Sequence, residues 1–238
     1  MFLPERRRFI AITLVSVVSM LLAGALRAGD VASFVDLGFS ENGKIYMFAQ
    51  YGVDEHTLRP WSELCIVDVE RNDFVPGGRI SYKHDKPVAL GQDGSAALLR
   101  IVSQNTGLIQ KYRANFMRQG IPLFISLEDV RDPAGQTIDF RDFERGVHYD
   151  ASLKSILHGS GTGVKSSFYI LFNSLNGKGF KKMYRVGSPN VTRDGVTSYS
   201  IKKAIVNPER TSMILVIEMT VLNGNGADIR YMVEAFRL

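Results

Sequence analysis

The stretch Ser212-Met213-Ile214-Leu215-Val216-Ile217-Glu218-Met219-Thr220-Val221-Leu222 decides how the chain is read. Successive side chains of a strand point to opposite faces. Met213, Leu215, Ile217 and Met219 therefore share one face, and Ile214, Val216, Glu218 and Thr220 the other. Both faces are largely apolar, which predicts a strand inside a sheet or between packed layers. Asn223-Gly224-Asn225-Gly226 follows, and these residue types favour a hairpin. Asp228 to Leu238 then reads as the returning strand.

Working outward from this pair, further strands are expected over 137–142, 148–157, 166–173, 181–186 and 199–206. Nearer the start, Val35, Leu37 and Phe39 alternate as a half-buried strand does. Ser40-Glu41-Asn42-Gly43 supplies turn chemistry before Lys44 to Tyr51, and Glu63 to Glu70 is a third strand. Pro76-Gly77-Gly78 is expected to close this unit. A weak echo links Leu37 to Phe48 with Ala204 to Leu215: each is a strand, a polar turn and a second apolar strand.

One region reads as helical. Ala97, Leu98, Ile101 and Val102 form an apolar stripe, with Ser95 placed to cap the first turn. Gly107 interrupts it, Leu108 to Met117 continues as a second helix, and Leu123-Phe124-Ile125 is a short strand. The expected fold is mainly β: an incomplete propeller-like or two-sheet antiparallel architecture with one short helical insertion near 95–118.

Glu5 to Arg8 precedes an apolar run from Phe9 to Ala25, and Leu26-Arg27-Ala28 leads into Gly29-Asp30. This is the layout of an export signal. Residues 1–28 are read as a signal peptide and 29–238 as a single β-rich domain, periplasmic or secreted. The 18 residues Phe9 to Leu26 also approach the length of a membrane span, so an uncleaved inner-membrane anchor is the alternative. Residues 1–28 hold four of the 29 basic residues and one of the 24 acidic ones. The remainder is close to charge balance, and no nucleic-acid partner is expected.

Catalytic motifs are sparse. Gly159-Ser160-Gly161-Thr162-Gly163-Val164-Lys165-Ser166 suggests a phosphate loop, but Val164 separates the last glycine from the lysine and a strand-like run follows. It reads as a hairpin loop or lid. His56, His84, His148 and His158 show no close metal-ligand spacing, and Cys65 lies in the apolar run Leu64 to Val67. No metal and no cofactor is expected. Asp93, Asp139, Asp142, His148 and Asp150 are the acid–base types from which a hydrolase pocket would have to converge. Tyr51, Arg59 and Trp61 are the candidates for a binding rim, being residue types that carry much of an interface's energy.

Phe39-Ser40-Glu41-Asn42-Gly43-Lys44-Ile45-Tyr46-Met47-Phe48, with Glu63 to Val69, resembles one blade of the TolB-type β-propeller repeat, Glu41-Asn42 standing where that repeat has Pro-Asp. More widely, Ala32 to Ser40, Gln50-Tyr51-Gly52, Gly91 to Gly94 and Asp228 to Glu234 resemble a family of predicted secreted spirochaete proteins of unassigned function. That resemblance implies export and a shared domain, and it brings no catalytic residue. The leading functional expectation is an exported, non-enzymatic binding or structural module of the envelope. Its partner would be an envelope protein, a peptide or a cell-wall component. An extracytoplasmic hydrolase is the alternative.

Overall fold

The computed structural model describes residues 28–127, 132, 134–223 and 226–238. Leader residues 1–27, with the proposed anchor Phe9 to Leu26, and Gly224-Asn225 of the hairpin lie outside the described residues. The early strands are β1 (Ala28–Val31), β2 (Ser33–Phe39), β3 (Ile45–Val53), β4 (Pro60–Asp68) and β5 (Asp73–Lys83). Helices α1 (Ser95–Gln104) and α2 (Thr106–Lys111) follow, then β6 (Ile121–Ile125), β7 (Gly135–Asp142) and β8 (Val147–His158). The chain ends with β9 (Lys165–Leu175), β10 (Lys181–Asp194), β11 (Val196–Val206), β12 (Ser212–Asn223) and β13 (Gly226–Arg237).

These strands make three sheets. The middle one has the order β1-β13-β12-β11-β6, with β1 parallel to β13 and the rest antiparallel. The outer two are four-stranded meanders, β2-β3-β4-β5 and β7-β8-β9-β10. A four-stranded meander is also the build of one propeller blade.

β12 is the centre of the stack. Met213, Ile214, Leu215, Val216 and Ile217 each show 0% exposure. Met213, Leu215 and Ile217 pack with Phe140, Leu153, Phe168, Ile170 and Phe172 of the β7–β10 sheet. Ile214 and Val216 pack with Phe39, Tyr46, Phe48, Cys65 and Val67 of the β2–β5 sheet. Fully burying such side chains stabilises by about 1.5–3 kcal/mol each. A third apolar cluster lies on the far face of the β2–β5 sheet, where Leu98, Ile101 and Ile109 of the helices cover Met47, Ala49, Leu64 and Ile66.

The mainly β reading with one helical insertion is the observed architecture. The two-sheet layering gains a third sheet, because β12 needs a cover on each face. Three local expectations change. Pro76-Gly77-Gly78 does not close the first unit but sits inside edge strand β5. Phe74 pairs with Val67 and Arg79 with Cys65, so residues 75–78 bulge opposite Ile66 alone. Proline, which has no N–H to give, is tolerated on such an edge. Ser95 is the first helical residue and not the cap; its N–H donates to Asp93 Oδ1 at 3.0 Å, and its hydroxyl to the same oxygen at 2.6 Å. The second helix ends at Lys111, well short of Met117.

One end of the stack is locked by a single turn. Arg210, in the β11–β12 turn, is buried and pairs with Asp142 at the end of β7 and Glu144 of the β7–β8 turn. Arg145 returns hydrogen bonds to the carbonyls of Glu209 (3.1 Å) and Arg210 (3.3 Å). Arg118, next to β6, pairs with Glu209 and also donates to the Glu41 carbonyl of the β2–β3 turn at 3.4 Å. The two halves of the internal echo thus meet through their turns.

Truncation of Leu215 to alanine is expected to cost about 2–5 kcal/mol in denaturant unfolding. The same truncation of Leu99, 70% exposed on α1, should change stability by no more than about 0.5 kcal/mol.

Candidate functional site

The middle sheet leaves one edge only partly paired. β1 registers with β13 over Ala227 to Ile229. Beyond that point, side chains of the β2–β5 sheet take the place of a neighbouring strand. The Tyr231 N–H donates to Gln50 Oε1 at 2.8 Å, and Gln50 Nε2 donates to the Tyr231 carbonyl at 3.1 Å. One carboxamide thus supplies the donor and the acceptor that an adjacent strand would supply. The Ala235 N–H donates to Asn72 Oδ1 at 2.6 Å, while Asn72 Nδ2 donates to the Glu234 carboxylate.

Along this edge runs a groove, walled by β5 on one side and β10 on the other. It consists of two hollows of about 920 and 710 Å³ that share Phe74, Val191, Arg193 and Met232. Its walls are mostly apolar: Phe74 and Tyr82 on one side, Val191 on the other, and Met219, Val221 and Met232 from the middle sheet. Both walls are bulged. Just as residues 75–78 stand opposite Ile66, residues 189–192 of β10 stand opposite Ser167, between the pairs Ser188–Phe168 and Arg193–Ser166. Each bulge contains a proline, Pro76 or Pro189. Bulges and prolines blunt an edge against pairing with another strand and re-aim side chains. Here they turn Phe74, Val191 and Arg193 toward the groove.

Most charges in the groove are paired within its walls. Arg79 Nε lies 2.6 Å from Glu63 Oε1, and Gln50 Nε2 donates to Glu63 Oε2 at 2.7 Å. Lys83 Nζ lies 2.7 Å from Asp54 Oδ2. At the head of the groove, the Trp61 indole N–H donates to Asp30, and the Arg230 guanidinium sits 4.4 Å from the Trp61 ring centroid. Arg230 also pairs with Asp30 at 3.0 Å and Asp228 at 3.2 Å. Arg193, at the junction of the hollows, stacks over Phe168 at 5.0 Å and donates to the Val191 carbonyl at 3.2 Å.

Burial sets the acids of this site apart. It raises the Asp30 carboxyl above the ordinary range, against the pull of Arg230 and the Trp61 hydrogen bond. Burial likewise raises Glu234, against the Asn72 hydrogen bond and the Arg193 charge. Asp54 moves the other way, held low chiefly by its hydrogen bond from Lys83. Burial pushes the Cys65 thiol well up, so it sits in the wall as an apolar filler.

The sequence-derived candidates are distributed differently from the expectation. Trp61 faces the groove, but Tyr51 packs under the helices on the opposite face of the same sheet. Arg59 is exposed in the loop before β4. The proposed aromatic rim therefore does not assemble, because Tyr51 and Trp61 occupy positions of opposite parity in paired strands. Of the acids, Asp139, His148 and Asp150 share the outer face of the β7–β10 sheet, where Asp139 meets His148 and Asn173 donates to Asp150 at 2.7 Å. Asp142 points inward and is 1% exposed, locked to Arg210. Burial lifts its pKa, but Arg210 and the N–H groups of Arg145 and Glu144 together bring it below the ordinary range. Asp93 lies beside α1 on another side of the molecule. The five do not converge. Among the described residues no group of three His, Cys, Asp or Glu side chains is placed to hold a metal ion.

Sequence alone does not mark Gln50, Asn72, Arg79, Arg193 or Arg230 as site residues. A signal existed for Gln50: it continues the face of Tyr46 and Phe48, so parity puts a carboxamide on an otherwise apolar face.

The raised Glu234 gives a signed prediction. In the fold it keeps a proton that the unfolded chain, with the ordinary value of 4.5, has already released. Stability contributed by that proton is lost as pH rises from about 4.5 through the folded value. Glu234→Gln has no such proton to lose. Relative to wild type its unfolding free energy should rise across that window and then level off, as read by denaturant unfolding from about pH 4 to 8. A pH-independent difference would contradict the assignment.

Comparison with curated proteins and with solved structures returns no match. A family model described as "Predicted secreted protein (DUF2259)" matches residues 47–237, from β3 to the end of β13. The matched span takes in the groove floor on β13, the Gln50 and Asn72 caps and both bulged walls. The chain belongs to this family of predicted secreted proteins.

Proposed function

We propose that this protein is an exported, non-catalytic binding module whose groove holds an apolar stretch of an envelope polypeptide. The observation that carries this reading is the groove itself: elongated, open, mostly apolar and bounded by two blunted sheet edges. A concave, mostly apolar cleft with a few placed polar groups is the usual form of a binding site. Membership of a predicted secreted family supports the extracytoplasmic setting.

A polypeptide fits these walls better than a cell-wall glycan. Sugar rings are held by open aromatic faces and by polar side chains with hydrogen bonds to spare. The Trp61 face is covered by Arg230, and Glu63, Asp54 and Asp30 are engaged by neighbouring cations. Apolar side chains of a peptide need only the apolar walls, and Arg193 offers a stacked guanidinium to a carboxylate or carbonyl. The dispersal of Asp93, Asp139, Asp142, His148 and Asp150 removes the shared pocket that a hydrolase built on them requires.

A photo-crosslinking residue at Phe74, 40% exposed at the groove mouth, tests this against one at Leu99 on the helical side. In envelope extract the Phe74 probe should capture a reproducible polypeptide, and Trp61→Ala should reduce that capture several-fold. Capture from Phe74 no greater than from Leu99 would end the proposal. A glycan or lipid adduct would keep the groove and replace its ligand.

A further inference from the structure

We propose that one end of the β7–β10 sheet is a docking tip for a bilayer of anionic phospholipid. Phe143 and Phe180 enter the lipid, and Arg141, Lys178, Lys181 and Lys182 meet its headgroups. This inference is independent of what the groove binds. Two neighbouring hairpin turns build the tip. Arg141, His148, Leu175 and Lys181 stand in one row across β7, β8, β9 and β10. The β7–β8 and β9–β10 turns both extend beyond that row. They lie side by side, since a Cβ on Gly177 of one would be 3.9 Å from the Gly146 carbonyl oxygen of the other. Each turn presents a phenylalanine to solvent: Phe143 is 88% exposed and Phe180 66%.

Neither ring holds its turn together. In the first turn, Asp142 Oδ1 accepts from the N–H groups of Glu144 and Arg145, each at 3.1 Å, and the same carboxylate is locked to Arg210. In the second, Asn176 Oδ1 accepts from the N–H groups of Lys178 at 3.1 Å and Phe180 at 2.9 Å. The charge around the rings is of one sign. Arg141, Lys178, Lys181 and Lys182 are all exposed, and none of them pairs with an acid among the described residues. Lys182 lies instead 4.8 Å over the Tyr184 ring. Glu144, the exposed acid of the first turn, is engaged by Arg210. The groove, by contrast, has most of its charges neutralised in pairs. A single exposed apolar side chain is ordinary, but two adjoining rings among four unpaired cations make an amphipathic tip. The rings protrude and line neither hollow of the groove. A protein partner would need a preformed socket for each ring, whereas a bilayer deforms around both. Its interface takes apolar side chains among the acyl chains and leaves the cations with the anionic headgroups.

The test uses the full chain, expressed in an exporting host, and vesicles of phosphatidylglycerol with brominated acyl chains, which quench tryptophan on contact. Trp61 is the one tryptophan of the chain, so an added one reports on its own position. Emission from Phe180→Trp should be quenched by these vesicles, and emission from wild type or from Leu99→Trp on the helical side should not. Because the readout is local, a retained leader does not imitate it. Lys181→Gln combined with Lys182→Gln should weaken vesicle affinity roughly tenfold, and salt at about 0.5 M should weaken it as well. Quenching of Phe180→Trp no greater than that of Leu99→Trp would overturn the proposal and leave the tip to a protein partner. Equal quenching by brominated phosphatidylcholine vesicles, or an affinity that the paired lysine substitutions leave unchanged, would also overturn it.

Discussion

The burial of β12 on both faces is the constraint from which the rest follows. A strand apolar on one face can be satisfied by one covering layer, but Met213, Leu215 and Ile217 need one cover while Ile214 and Val216 need another. Two meanders provide them, packed on opposite faces of a shared middle sheet. The outer face of the β2–β5 sheet is itself apolar at Met47, Ala49, Leu64 and Ile66, and it takes the two helices as a further cover. The layer order is thus dictated by which strand faces carry apolar side chains.

The same arrangement creates the groove. A middle sheet that is narrower than its covers on the β13 side recesses its edge between β5 and β10. An exposed edge invites unwanted strand pairing, and this one is closed by chemistry rather than by another strand. Gln50 and Asn72 satisfy its backbone groups, and the bulges around Pro76 and Pro189 distort the two flanking edges. What remains accessible is mainly side chain: apolar walls, with charges neutralised in pairs. That division favours a ligand gripped through its own side chains over one added as an extra strand.

Much of the fold was legible in sequence because it rests on period-two alternation. The strands β7 to β9 and β11 to β13 fall within about three residues of their expected spans, since long apolar alternation and Asn/Gly turns are local signals; β10 runs on from Val186 to Asp194 through the bulge at Pro189, which alternation does not reveal. β5 was hidden because Pro76-Gly77-Gly78 carries the local chemistry of a turn, and only pairing with β4 makes it a bulge. The site was much less legible. Trp61 is a candidate in sequence, but its partners Asp30 and Arg230 are 31 and 169 residues away in the chain. Proximity in sequence groups Tyr51 with it, whereas hairpin parity places the two on opposite faces. Asp142 and His148 are candidates for one converging pocket; strand alternation sends one inward and the other outward.

Native-state hydrogen exchange measured residue by residue tests the central role of β12 most directly. If both outer sheets are organised by the middle one, the amides of Ile214 to Ile217 should exchange only through global unfolding. Their opening free energies should equal the stability from denaturant unfolding, with edge strands β5 and β10 opening at lower cost. Persistent protection of the β7–β10 sheet while β12 exchanges freely would contradict the account, because the meander would then stand without the strand it is held to depend on.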